Sequence, residues 1–441
     1  MKNIVFLFVF FFGFVINAQK KFSLNDCIDY AVKHNTKVLS YKTNKEINSL
    51  LIKSYKNERL PKINFNANEG FQLGNTYNVS TGVGQKQSSY TSFNLNTQVE
   101  LFSGFKQKYK IQHQKILDEI STNQLDNVIW NLKFDIINTY FKILFEKENL
   151  AIIENTIKNQ EQQIKIISKL NKQLLKPTED LISSKIELKK LLLQKTKIEN
   201  SIDNYKNKLY ELLNTKDIEI QYDNNSQKKE ILFKKNIDWD KFPSVLSLKN
   251  KIELNEKEIK MEKSKRYPSL SFNYSIGSSY YHIIGREDLI YNLQSGTFEP
   301  YGFKQQFQNN LLHYLYFNLR IPIFNGFSIK NNIKELELKK QMNAYNYETE
   351  KQKMKTLYQE LLNDINLAKN NYDTQKEIFQ LAEKNYIIKQ KKYLKNIITY
   401  NDWQIAKNKF FESKTKLLLA KYEMLLKQEI YIRLYKYVII Y

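Results

Sequence analysis

"LFSGFK" at residues 101–106 and "IFNGFS" at residues 323–328 make the same passage twice. Both read aliphatic–Phe–small–Gly–Phe–polar. Each closes an alternating apolar/polar run and opens a long stretch rich in Lys, Gln and Asn. Phe102, Gly104 and Phe105 stand 222 residues before Phe324, Gly326 and Phe327, and the same offset carries Asp180 onto Asp402 and Lys185 onto Lys407. Upstream, VLS at 38–40 returns at 245–247, and Pro61 of LPKINF returns as Pro268 of YPSLSF, both 207 residues apart. Ordered matches at two consistent offsets read as a tandem duplication, with 15 extra residues in the second copy between Pro268 and Phe324. The period is far too long for a solenoid array.

Within each copy the same elements are expected. SLNDCIDYAVKHN (23–35) opens a helix with Ser23 as N-cap and Asp26 three residues on, a carboxylate variant of the capping box. A second helix over about 37–59 stops at Pro61. Period-2 alternation then marks strands at about 61–70 and 90–102, where Ile63, Phe65 and Ala67 alternate with asparagines. The Gly/Ser/Thr/Asn-rich stretch from Gly70 to Ser89 reads as a loop between them. The second copy places strands at about 268–277 and 314–324, where Leu315, Phe317 and Leu319 alternate with Tyr316, Asn318 and Arg320. Four strands per chain are expected in all.

The helices that follow are long. No Pro or Gly interrupts residues 105–174, and apolar residues recur at three, four and seven. About 70 residues at 1.5 Å each give a rod of about 100 Å, and periodicity of that length without caps means coiled-coil-like packing. The copy at about 327–393 is similar, and returning helices are expected over about 178–213 and 399–435. The organisation expected is therefore a leader at 1–18, a first repeat at 19–213, a polar linker at 214–242 and a second repeat at 243–441.

The leader has a secretory pattern. Lys2 precedes an apolar run from Ile4 to Ile16, and INA at 16–18 puts a small residue before Gln19. No later apolar run is long enough for a membrane-spanning helix. A net charge of +23 would raise nucleic acid as a partner. The lysines are instead scattered along helical patterns beside Asn, Ile and Tyr, so no nucleic-acid partner is expected. Cys27 is the only cysteine, which excludes an internal disulfide.

An exported chain without an apolar helix crosses a bilayer only as a closed β-barrel, and such barrels need about eight strands or more. Four cannot close, so several chains must contribute, and a trimer supplies twelve.

The capping-box segment, the two strand starts LPKINFN and YPSLSFN, the two Phe-x-Gly-Phe exits and ITYNDWQIAKNKFFESKTKLLLAKYEML (398–425) resemble the TolC-like outer-membrane efflux proteins over nearly the whole mature chain. The resemblance implies a homotrimer with a twelve-stranded transmembrane barrel in outer-membrane lipid and an α-helical barrel reaching into the periplasm. It implies a non-enzymatic exit duct for efflux or type I secretion, fed by an inner-membrane pump through a periplasmic adaptor. A second reading, an exported coiled-coil adaptor or scaffold with no pore, leaves the apolar strand faces unexplained. The family usually carries Gly at each periplasmic tip, where this chain has Leu174 and Asn396. Asn tolerates the left-handed conformation and Leu does not, so the first tip is expected to turn differently, around Pro177.

No catalytic, cofactor-binding or metal constellation emerges. His34, His113, His282 and His313 are scattered, and His113 reads as a solvated helix residue. Gly104 and Gly326 read as structural turns from strand to helix, and Pro61 and Pro268 as structural markers of strand starts. Tyr274, Tyr280, Tyr281, Tyr314 and Tyr316 are candidates for interfacial aromatic belts. Asp180 and Asp402 fall in the first turns of the returning helices, where a carboxylate is favoured electrostatically in any case. Their alternative role is a charged ring at the closed periplasmic end. The resemblance adds Tyr393 as a residue holding that gate shut.

Overall fold

A computed structural model describes residues 20–78, 83–216, 218–220 and 237–440. The leader at 1–18, most of the linker and the tip of the first strand pair lie outside the described residues. The chain divides into two compact units. One combines residues up to Thr43, Asn123–Leu246 and those from Thr349 onward, and the other combines Asn44–Thr122 with Ser247–Glu348.

The second unit is built on an antiparallel sheet of β2 (Lys62–Asn78), β3 (Val83–Ser103), β5 (Ser269–Ile283) and β8 (Leu312–Arg320), in the order β2-β3-β5-β8. Register assigns its two faces. Phe65, Leu95, Ile276 and His313 lie directly opposite one another across the strands, and Asn64, Asn96, Ser275 and Tyr314 form the neighbouring row. Paired residues share a face and successive residues alternate. One face is therefore largely apolar and the other carries amides, hydroxyls and tyrosines. The polar face bonds to itself, Ser275 donating to Asn96 Oδ1 at 2.7 Å. The apolar face stands open, with Ile63 63%, Phe65 66% and Phe317 62% exposed.

The strands depart from expectation at their ends. The described residues 70–78 and 83–89 are strand, not loop: β2 and β3 continue pairing through Gly70↔Tyr90 and Leu73↔Gln87, and the register breaks between Leu73 and Thr76. Ladder hydrogen bonds override the poor strand propensity of Gly, Ser and Asn there, and Gly74 takes up the irregularity at φ +126°. In the other direction, β8 stops at Arg320 rather than 324, because Pro322 has no N–H to give the ladder. The segment joining β5 to β8 folds into a hairpin of β6 (Leu289–Asn292) and β7 (Thr297–Pro300) followed by α6 (Phe303–Asn309). Buried Gln306 ties α6 to β5, accepting from Tyr281 N–H and donating to Tyr281 O, both at 3.0 Å. Beyond the four sheet strands there are thus further short ones, including β1 (Lys20–Phe22) and β4 (Ile218–Ile220), which pair in parallel within the first unit.

The long helices are α3 (Lys106–Lys172) and α7 (Ser328–Leu394), each of 67 residues, with α4 (Thr178–Leu213) and α8 (Tyr400–Ile440) returning. The shorter α1 (Leu24–His34) and α2 (Thr36–Asn57) precede β2, and α5 (Pro243–Ser264) precedes β5. Ser23 and Asp26 close a full capping box on α1. The main core of the first unit gathers Cys27, Val38, Ile136, Ile143, Leu209 and Leu213, all fully buried. Burial pushes the Cys27 thiol up to about 12, so it packs as a small apolar group. A second cluster, Ile153 and Ile157 with Leu191, Ile198 and Ile202, binds α3 to α4. His113 is not simply solvated: its ring is half-buried and bonds Glu258 Oε1 at 3.3 Å.

The two Phe-x-Gly-Phe turns share one backbone. Gly104 and Phe105 have φ +62° and +66°, and Gly326 and Phe327 have φ +60° and +61°. Two consecutive left-handed residues are costly when the second has a side chain. Each motif offsets this by ring packing: Phe102 meets Phe105 edge to face at 5.4 Å, and Phe324 meets Phe327 likewise at 5.6 Å.

Candidate functional site

The sequence-expected gate residues sit where the long helices turn back. α3 ends in a Schellman motif, with Leu175 N–H donating to Leu170 O and Leu174 N–H to Asn171 O, both at 2.9 Å. α7 ends the same way, with Ile397 bonded to Lys392 and Asn396 to Tyr393. Leu174 and Asn396 both stand at φ +59°, which corrects the expectation that the first tip turns differently. Helix-end hydrogen bonding imposes the left-handed residue at this spacing whatever its side chain. Pro177 instead serves as the N-cap position of α4.

Tyr393, on the last turn of α7, is 3% exposed. Its ring stacks on Trp403 at 5.1 Å with 7° between planes and meets Tyr400 edge on at 5.8 Å. Ile167 of α3 completes this cluster. The Tyr393 hydroxyl donates to Asp180 Oδ2 of α4 at 3.2 Å. Lys176, in the first turnaround, holds Nζ 3.8 Å from the centre of the same ring and donates to Tyr393 O at 3.5 Å. Burial, then the Asp180 charge, raises the Tyr393 pKa, so the phenol remains a proton donor at any physiological pH. The structure thus brings Asp180 and Tyr393 together and adds Lys176 and Trp403, which nothing in the sequence singles out beyond their nearness to the tips.

Asp402 is engaged differently. Its carboxylate accepts from the Thr399 hydroxyl at 2.7 Å and from Thr399 N–H at 3.3 Å, while its own N–H donates to the Thr399 hydroxyl at 3.1 Å. That reciprocal pattern is a capping box on α8. The Thr399 hydroxyl bond holds the Asp402 carboxyl below its usual range, so this exposed group is ionised at neutral pH.

Beneath the aromatic cluster lies a buried polar core. Lys407, 3% exposed, donates to Gln160 Oε1, and Gln160 Nε2 donates to Ser184 O at 2.8 Å and Ser184 Oγ at 2.9 Å. One lysine therefore links α8 to α3 and α4 through a single amide. Burial pushes its pKa down to about 8, with nearby Glu187 opposing. Its counterpart at the 222 offset, Lys185, is exposed. Gly104 and Gly326 also differ in surroundings. A Cβ on Gly104 would fall 2.4 Å from Ser264 O, whereas one on Gly326 would meet nothing within 4 Å. None of these residues forms a metal-binding cluster, and no group of three or more metal-ligating side chains gathers among the described residues.

Solved structures match this arrangement along almost the whole chain. CusC, whose structures concern folding and transmembrane channel formation, superposes with a TM-score of 0.79 at 15% identity, covering 94% of this chain and 91% of its own. The Vibrio cholerae outer membrane protein VceC gives 0.75 at 13% identity, covering 93% and 95%. The Campylobacter jejuni CmeC outer membrane channel gives 0.75 at 17% identity, covering 93% and 84%. The chain has the fold of TolC-like outer-membrane efflux channels. By sequence, no family model and no curated protein matches it.

Proposed function

We propose that this chain is one third of an outer-membrane exit duct. The observation that carries the reading is the sheet. Among the described residues it has two unpaired edges, β2 and β8, and one apolar face left open to the surroundings. In water such edges and such a face would drive aggregation. Three copies joined β8 to β2 give twelve strands with no edge, and lipid covers the apolar face. The polar Asn/Ser/Tyr face then lines the lumen. The long helices, contributed twice per chain by an ancestral duplication, continue the duct into the periplasm. No helix among the described residues is long and apolar enough to cross a membrane.

The duct receives its cargo from an inner-membrane pump through a periplasmic adaptor, in efflux or type I secretion. Asp180, Tyr393 and Asp402 at the helix turnarounds form its periplasmic gate. Likeness in fold to outer-membrane channels supports the assignment, and the exposed apolar strand face argues against a pore-less periplasmic scaffold.

The deciding experiment is purification from the outer-membrane fraction, mass determination in detergent and planar-bilayer recording. Trimers that conduct are expected. Release by a salt wash, or a monomer that conducts, would sink the assignment, since four strands cannot enclose a pore.

A further inference from the structure

Where the sheet gives way to helices, free cations sit beside the end of the apolar face. β3 closes on Phe102 and Ser103, the chain turns at Gly104 and Phe105, and α3 starts at Lys106. A surface groove here is lined by Val99, Leu101, Phe102 and Phe105 on its apolar side and by Arg59 and Lys108 on its charged side. Two other polar residues of the groove are already engaged: Glu58 accepts from Lys110 at 2.7 Å, and the Gln107 amide donates to Tyr55 O. Glu100 is the remaining carboxylate. Arg59 and Lys108 are exposed and take part in no salt bridge among the described residues.

The two cations and the two rings recur at equivalent sequence positions in the second half of the chain. The 207 offset carries Arg59 onto Arg266, and the 222 offset carries Lys108 onto Lys330. Phe102 and Phe105 recur as Phe324 and Phe327, in the same edge-to-face geometry, at 87° and 88° between planes. Arg266 and Lys330 are likewise exposed and without a salt bridge among the described residues. At the opposite end of the strands the balance differs, with Arg286 followed directly by Glu287 and Asp288.

Exposed aromatic rings next to an unpaired Arg and Lys fit an amphiphile with an anionic head. Free phosphate has no use for the Phe pair, and a zwitterionic lipid brings no net charge for the two cations. Basic residues at the edge of an apolar band attract anionic headgroups, and the guanidinium matches a phosphodiester in two-pronged fashion.

We propose that Arg59–Lys108 and Arg266–Lys330 are two headgroup sites per chain for anionic phospholipid, at the helix-side rim of the apolar face. This rests on the reading of that face as lipid-covered. The sites would tie the barrel to one leaflet and fix its depth.

Delipidated protein in neutral detergent, offered phosphatidylglycerol or phosphatidylcholine, tests it by native mass spectrometry, with planar-bilayer conductance recorded in parallel. Two retained phosphatidylglycerols per chain are expected, and none of phosphatidylcholine. Arg59→Gln with Lys108→Gln should leave one per chain, and adding Arg266→Gln with Lys330→Gln should leave none. Each cation removed should weaken retention about fivefold, near thirtyfold for a pair. Protein that conducts but holds both lipids equally would overturn the headgroup sites while leaving the duct intact. So would unchanged retention in the fourfold variant, or retention abolished by inorganic phosphate but not by chloride at matched ionic strength. Failure to insert into any bilayer would remove the duct and the sites together.

Discussion

Leu174 and Asn396, 222 residues apart, hold the same left-handed backbone at φ +59° and the same pair of helix-closing hydrogen bonds. Only Asn is suited to it. Leu174 is also 94% exposed, so neither its conformation nor its surroundings in the chain reward the side chain. Leu174→Gly should therefore stabilise the first tip by about 1 kcal/mol, and Asn396→Gly should change the second by a few tenths at most. Hydrogen exchange at the end of α3 reads the difference. Equal effects at the two tips would contradict it.

The paired glycines are expected to part company. Gly326→Ala meets open space in the chain and incurs only the left-handed conformation, about 1–2 kcal/mol. Gly104→Ala adds a collision with the backbone carbonyl of Ser264, which has no flexible end to move aside. It should cost more than about 3 kcal/mol and show as poor recovery of folded protein from the membrane fraction. Comparable yields of the two variants would argue that α5 and the turn can move apart.

Most of the architecture was legible because it is written in period and in repetition. The two Phe-x-Gly-Phe exits, the alternation at Leu315–Arg320 and the unbroken run from Phe105 each specify an element locally. What escaped was set by partners distant in sequence. Nothing in Gly70–Ser89 announces a strand, since its pairing comes from the ladder β2 and β3 build together. Propensity argues against a left-handed Leu174, and helix-end hydrogen bonding overrides it. Asp180 and Asp402 look equivalent at one offset, yet Asp180 meets Tyr393 across 213 residues while Asp402 meets Thr399 three residues away. Burial of Lys407 but not Lys185 likewise depends on which helices pack around each.

Lys407 gives the tip a pH dependence of definite sign. Its folded pKa, about 8, lies below the ordinary lysine value of 10.5. The charged form is thus penalised in the folded state, and the penalty fades as pH rises through 8 toward 10.5. From pH 7 to pH 9.5 the wild type should gain about 2 kcal/mol relative to Lys407→Met, which cannot titrate. Guanidinium unfolding at the two pH values, compared between the proteins, measures this. Parallel behaviour of wild type and variant would mean that Lys407 finds compensation its neighbours Gln160 and Glu187 do not supply.

The turnaround residues separate gate from cap. The Tyr393 hydroxyl joins α7 to Asp180 of α4, while its ring is held independently by Trp403. Tyr393→Phe removes the hydrogen bond and keeps the stack, so it should raise resting single-channel conductance with little loss of stability, about 1 kcal/mol. Asp180→Ala should do the same, and the double variant should add little, because both remove one interaction. Asp402 carries two roles that substitutions can divide. Asp402→Asn removes the charge and keeps a side-chain oxygen for Thr399, whereas Asp402→Ala removes both. If the proposed gate exists, it gathers three ionised Asp402 carboxylates, which would attract cations, so both substitutions should lower cation selectivity and weaken block by divalent ions. Only Asp402→Ala should also cost about 1 kcal/mol through the lost capping box. If both variants keep wild-type selectivity and Asp402→Ala merely melts earlier, Asp402 is a helix cap alone, and the proposed gate is reduced to the Tyr393–Asp180 pair.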